Sequence, residues 1–114
     1  PAFIAGYPAV EWLQMTLPAQ RIDLRALLST LAQRGCNEVL VETGATLAGA
    51  FVAAGLVDEL GGYQAMTLLG SQARPMLQLP LETMRQQVGL TLKDSRVLGN
   101  DICLTLTPTH EGSE

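Results

Sequence analysis

The feature that most constrains the fold is a short run in the middle of the chain, Glu38-Val39-Leu40-Val41-Glu42, followed at once by Thr43-Gly44-Ala45-Thr46. Its three apolar residues are consecutive, two of them are β-branched, and nothing in the run alternates with polar residues. A strand with one wet face would alternate, so this one reads as buried on both faces, the habit of a parallel sheet. The Thr-Gly turn feeds a helix expected over residues 47–54, rich in Ala and Gly and therefore able to pack closely on a sheet. Gly55 closes that helix, and Leu56-Val57-Asp58-Glu59-Leu60 begins another extended piece. Upstream, Asp23 stands as an N-cap before Leu24, Leu27, Leu28 and Leu31, the stripe of an amphipathic helix. Arg34 and Gly35 end it, with a cation at the negative end of the helix dipole. Helix, strand, helix and strand joined by short connections define the α/β class.

The remaining segments fit around this frame. Residues 10–17 alternate apolar and polar and read as a short strand ended by Pro18. The strand that starts near Val57 would run on through Tyr63 to Leu69, although Gly61-Gly62 weakens its middle. Residues 70–75 form a loop, and residues 81–87 a helical turn or two. At the end, Leu90, Leu92 and Val97 alternate with Thr91, Lys93 and Arg96, then Gly99-Asn100-Asp101 turns the chain. Ile102, Leu104 and Leu106 alternate with Cys103, Thr105 and Thr107 on the return. That is an antiparallel hairpin, ended by Pro108, with a frayed tail behind it.

Composition narrows the function classes. The chain has 114 residues, enough for one domain spanning 1–114, and a charged fraction of 16%, below the ~25% of typical soluble domains. No apolar run approaches the ~18 residues of a membrane span, so no integral membrane role is expected. Seven Lys and Arg against eleven Asp and Glu leave a net charge of −4, without the basic footprint that nucleic acid requires. Pro1-Ala2-Phe3-Ile4 has neither a basic leader nor an initiator Met. It reads as no signal peptide, and a start inside a longer polypeptide is compatible with it. Cys36 and Cys103 lie 67 positions apart beside apolar runs and read as buried free thiols rather than a disulfide. His110 is the only histidine, so neither a His-based metal site nor a Ser-His-Asp triad is expected.

One constellation can carry chemistry. The carboxyl end of a strand that enters a helix through a glycine turn is where α/β sheets bind ligands. The first N–H groups of such a helix are unpaired and bear roughly half a positive charge, suited to a phosphate. Gly44 would let a ligand approach the backbone, Thr46 adds a hydroxyl, and Gly49 lies one turn further on. Glu42, at the strand end, can accept hydrogen bonds from a ligand hydroxyl or amine. The plainer reading is structural: Gly44 a turn glycine, Thr46 a cap, Gly49 a packing residue. Neither G-x-G-x-x-G nor G-x-x-x-x-G-K-[ST] is present, so no standard phosphate motif decides between the two.

The stretch Asn37-Glu38-Val39-Leu40-Val41-Glu42-Thr43-Gly44-Ala45-Thr46-Leu47-Ala48-Gly49-Ala50, then Ala54-Gly55-Leu56-Val57-Asp58-Glu59-Leu60, resembles the reductase domain of the bifunctional riboflavin-biosynthesis deaminase/reductase family. Leu68-Leu69-Gly70-Ser71 with Ala73-Arg74, the run Leu24-Arg25-Ala26-Leu27-Leu28 and the terminal Gly99-Asn100-Asp101-Ile102-Cys103-Leu104 are similar as well. The resemblance spans residues 20–108 and implies a dihydrofolate-reductase-like α/β fold. In this chain it would be a partial three-layer sandwich with a mixed sheet and a C-terminal antiparallel hairpin. It also implies NADPH-dependent reduction of 5-amino-6-(5-phosphoribosylamino)uracil. Carried over position by position, Glu42 matches a substrate-contacting glutamate. Gly44, Ala45, Thr46, Leu47, Ala48, Gly49 and Ala50 match the stretch that lines the NADP phosphates.

This sequence departs from the family pattern in three ways. The family's reductase domain is roughly twice this length, and both its amino-terminal half and the zinc-dependent deaminase domain have no counterpart here. Leu60-Gly61-Gly62-Tyr63 replaces an unbroken apolar strand, and Thr67 stands where the family has Lys. The expectation is therefore the carboxyl-terminal half of a reductase domain, inactive alone, with no catalytic acid assignable. The rival is a non-catalytic small α/β domain kept for nucleotide binding or assembly. On either reading the chain is expected to be cytoplasmic and to form a homodimer or larger species, since half a sheet leaves a bare edge.

Overall fold

The structure is a computed structural model that describes residues 5–15 and 21–109. Contacts divide the chain into two units, residues 1–39 and residues 40–114.

The first unit is organised by α1 (Leu24–Gln33). Asp23 caps it as expected, its carboxylate accepting from the Ala26 N–H at 3.1 Å. Leu24, Leu27, Leu28 and Leu31 form its half-buried stripe. The helix ends in a Schellman motif: the Gly35 N–H donates to Ala32 O and the Cys36 N–H to Leu31 O, both at 3.0 Å. Gly35 supplies the left-handed turn, with φ +90°. Cys36 is thereby held at the surface, which corrects the expectation of a buried thiol; both cysteines are free. Arg34, the C-cap, forms an ion pair with Glu11. The strand expected over residues 10–17 is not found in its described part. Residues 10–15 make no ladder, and Val10 and Trp12 are each more than half exposed. Residues 16 and 17 lie outside the described residues.

The second unit carries α2 (Ala45–Ala53) and a three-stranded sheet of β1 (Leu60–Gln64), β2 (Leu90–Leu98) and β3 (Asp101–Pro108) in the order β1-β3-β2. Both pairings are antiparallel. The α/β class and the C-terminal hairpin are thus both present, the hairpin turning at Gly99 with φ +61°. Leu104 and Leu106 of the central strand stand opposite Gly62 and Leu60 on one side and Ser95 and Leu92 on the other. On this face an apolar cleft of about 80 Å³ is lined by Val52 of α2, Leu60, Leu90 and Pro108 of the sheet, and Met76 and Leu79 from the connection. Phe51 of α2 is the one buried hydrophobic side chain among the described residues, 5% exposed.

Three expectations change here. Residues 38–42 join no ladder among the described residues, and the sheet of the second unit is antiparallel rather than parallel. Their burial on both faces is not met either, since Leu40 is 83% exposed. Gly61 and Gly62, expected to weaken a strand, instead lie inside β1, which ends at Gln64 rather than running to Leu69. The helical reading of residues 81–87 contracts to a single 3-10 turn, Met84–Gln86, closed by a capping box between Thr83 and Gln86.

Candidate functional site

The turn that the sequence singles out is built as a helix entrance. Gly44 is the N-cap of α2, and the helix begins at Ala45, two residues earlier than expected. Thr46 therefore sits inside the first turn and is not the cap. Gly44 has φ −72°, a conformation open to any residue, so the turn itself does not demand glycine. What glycine provides is room: a Cβ at this position would meet nothing within 4 Å. It also provides no side-chain acceptor, so the first-turn N–H groups of Ala45, Thr46 and Leu47 are left without a cap. These are the groups whose partial charge suits an anion.

One residue that the sequence reading missed fastens this helix. Gln78 donates its N–H to Ala45 O at 3.0 Å, and its side-chain oxygen accepts from the Thr46 hydroxyl at 3.0 Å. Its backbone also crosses directly over Gly49, where a Cβ would lie only 2.8 Å from the Gln78 carbonyl carbon and closer still to the oxygen. Gly49 is buried by this crossing, so its small size serves close approach by a connecting segment. No local signal marks Gln78, because a contact between residues 46 and 78 is set by tertiary placement.

The other matched residues divide by accessibility. Glu42 is exposed, and its carboxylate has no hydrogen-bond or ionic partner among the described residues. Leu47 is 40% exposed, Ala50 is exposed, and Ala45 and Ala48 are half-buried. Glu42 and residues 44–50 thus form one continuous stretch in which Gly49 alone is closed off.

A second polar pair lies on the opposite face of the sheet. Tyr63 of β1 stands across from Cys103 of β3. The Cys103 sulfur, through a hydrogen bond first and its charge second, raises the Tyr63 phenol above its ordinary value of 10.0. The sequence marked Cys103 only as a buried free thiol and did not connect it with Tyr63, since only the ladder register brings the two together. Among the described residues no group of three or more His, Cys, Asp and Glu side chains could hold a metal ion. No helix there is long and apolar enough to cross a membrane.

Comparison with known proteins places this geometry. Residues 5–104 match the model of the RibD C-terminal domain. The riboflavin biosynthesis protein RibD of Escherichia coli is 45% identical over 86 residues, covering 75% of this chain and 23% of that protein. The 5-amino-6-(5-phosphoribosylamino)uracil reductase of Buchnera aphidicola is 34% identical over 91 residues, 78% of this chain and 44% of that protein. Among solved structures, Acinetobacter baumannii RibD superposes with a TM-score of 0.75 at 43% identity, over 85% of this chain and 26% of its own. The fold is accordingly part of the dihydrofolate-reductase-like α/β architecture. The chain spans about a quarter of the RibD proteins it matches and less than half of the Buchnera reductase.

Proposed function

The chain belongs to the RibD C-terminal domain family, and from that membership we propose that it is the carboxyl-terminal half of an NADPH-dependent riboflavin-pathway reductase domain, inactive alone. Its substrate on this reading is 5-amino-6-(5-phosphoribosylamino)uracil, the compound named for the Buchnera relative. The observation that carries the reading is the uncapped first turn of α2 behind an open Gly44 and an unpartnered Glu42. Residues 1–114 are then one part of a single reductase domain that works in the cytoplasm and associates with itself.

The residues present fit the phosphates of a dinucleotide. The N–H groups of Ala45, Thr46 and Leu47 supply donors, and the missing Cβ at Gly44 permits close approach. Leu47, Ala48 and Ala50 continue the wall beside them, while Gly49 lies behind it under the Gln78 crossing. Glu42, two residues before the turn, accepts hydrogen bonds from a hydroxyl or amine of the substrate. NADPH, when bound, supplies the hydride that opens the ribose to a ribityl chain. The protein's share is binding and orientation.

Gly44→Asp isolates the phosphate contact. Aspartate is a favoured N-cap, so the variant should fold at least as well as the parent while its carboxylate occupies the N–H groups that a phosphate would use. Repulsion between the two anions at ~4 Å is about 4 kcal/mol at an effective dielectric of about 20, enough to abolish weak binding. Glu42→Gln should leave NADPH affinity unchanged. Isothermal titration of the three proteins with NADPH decides. Equal heats from the parent and Gly44→Asp, or none from the parent, would overturn the assignment. NADPH oxidation by this chain alone, followed by its absorbance, would overturn the inactivity. Nucleotide binding without turnover, even beside the rest of a reductase, would favour the non-catalytic reading.

A further inference from the structure

We infer that Gln78 is a positioning residue for the entrance of α2: its carboxamide decides whether the Thr46 hydroxyl offers a ligand its proton or its lone pairs, and an anion bound there turns that carboxamide over. The inference rests on the reading of the entrance as a phosphate site.

A threonine hydroxyl has one proton to donate and two lone pairs to accept with. The Thr46 proton goes to Gln78 Oε1 at 3.0 Å. The hydroxyl therefore has only lone pairs left for a group that approaches the helix entrance, and lone pairs repel a phosphate oxygen. The backbone beside it has the opposite preference. Gly44 lends no side chain to the first-turn N–H groups, and the N–H of Thr46 is one of them. One residue thus offers an anion a donor on its main chain and an acceptor on its side chain.

Gln78 can remove that conflict without moving its backbone. A carboxamide carries an acceptor oxygen at one end and an amino group with two donors at the other. Its terminal torsion is broad and nearly two-fold, so a half-turn costs little. The half-turn puts Nε2 where Oε1 stood, Nε2 donates to Thr46 Oγ1, and the hydroxyl proton is released to the ligand. The protein gains and loses no proton; one hydrogen bond reverses and one forms. Among the described residues Nε2 has no hydrogen-bond partner that would oppose the turn. The pivot keeps its place because the Gln78 N–H stays on Ala45 O at 3.0 Å and its backbone crosses Gly49. A glutamate at this position would accept at both ends and could not make the exchange.

The test follows the Gln78 side-chain amide resonances of the isotope-labelled chain during titration with NADPH. They should move downfield and exchange more slowly with solvent in the complex, because Nε2 acquires an acceptor. In Thr46→Val, which keeps the shape and removes the hydroxyl, that change should vanish. NADPH affinity should also fall about tenfold, the worth of one hydrogen bond to a charged group. Gln78→Glu keeps the backbone bond and an acceptor for Thr46, so it should fold as the parent does. Its affinity loss at neutral pH should be at least about threefold larger in the parent background than beside Thr46→Val, whereas repulsion by its charge alone would cost the same in both. Equal losses in the two backgrounds would overturn the inference. So would saturation with NADPH that leaves the Gln78 resonances unmoved, and either result leaves the phosphate site standing. No binding of NADPH by the parent would overturn the site and the inference together.

Discussion

Gly49 shows how one missing methyl group can organise a site. The backbone of Gln78 crosses α2 where glycine leaves no side chain, and the same residue reaches Ala45 and Thr46 at the helix entrance. Gly49→Ala would push a Cβ into the Gln78 carbonyl, which is backbone and cannot rotate away. Overpacking of this kind costs about 2 kcal/mol. The expected result is a lower urea midpoint together with faster amide exchange at Gln78, while Gln78→Ala, which keeps the backbone crossing, should cost less. A midpoint for Gly49→Ala equal to the parent's would show that the crossing is not close in solution. Tyr63 allows a second measurement at this scale. Hydrogen bonding to Cys103 raises its phenol above 10.0, so its contribution to stability is complete below the unfolded value and is lost as pH rises through the folded one. In a Tyr7→Phe background, which leaves Tyr63 as the one tyrosine, phenolate absorbance should therefore titrate later than free tyrosine. Cys103→Ala should bring it back. Identical titrations with and without the thiol would remove the pair.

At the level of elements, what could be read in advance is what is encoded locally. Both helices stop at glycines already visible as stops, and both stop by the same geometry: Gly55 repeats the Schellman pattern, its N–H donating to Val52 O and that of Leu56 to Phe51 O. Gly35→Ala and Gly55→Ala each force a side chain into a left-handed conformation and should each cost roughly 1–2 kcal/mol in denaturant unfolding. No loss at either position would mean that the helix end rearranges. The hairpin was legible for the same reason, and even its irregularity left a trace. Leu90 and Leu92 fall on even positions and Val97 on an odd one, and the bulge at Lys93 absorbs the difference by pairing Leu92 with Leu106 and Asp94 with Thr105. What could not be read depends on distant partners. The pattern of residues 38–42 reads as a buried strand, yet the segment is exposed and joins no ladder among the described residues, because pairing depends on partners that no pattern within the segment encodes. The Gln78 clasp, the place of Gly61 and Gly62 inside β1, and the Tyr63–Cys103 pairing were hidden likewise. Of the candidate site, the position of the turn was legible; its cap at Gly44 and the burial of Gly49 emerged only from the fold.

For the molecule as a whole, the governing quantity is surface left uncovered. Leu68, Leu69, Met84 and Val97 are each at least 75% exposed. Such a surface favours association, and the two edges of the sheet differ in how they resist it. The β2 edge carries a bulge at Lys93 and the charges of Lys93, Asp94 and Arg96, features that discourage further pairing. The β1 edge, Leu60-Gly61-Gly62-Tyr63-Gln64, carries no charge and no bulge. An antiparallel pairing of two copies about Gly62 would set Leu60 opposite Gln64 and Gly61 opposite Tyr63, with no like charges in conflict. The chain is therefore expected to scatter light as a dimer or larger, above the 12.2 kDa of the monomer, at micromolar concentration. Gly61→Lys is the variant that tests the edge. A Cβ there meets nothing within 4 Å and the backbone is not left-handed, so the fold should accept it while a cation enters the pairing edge. Mass should fall toward the monomer in Gly61→Lys and stay unchanged in Val97→Lys on the guarded edge. A monomeric parent, or a loss of association with Val97→Lys alone, would show that the uncharged edge of β1 is not where this chain meets its copy.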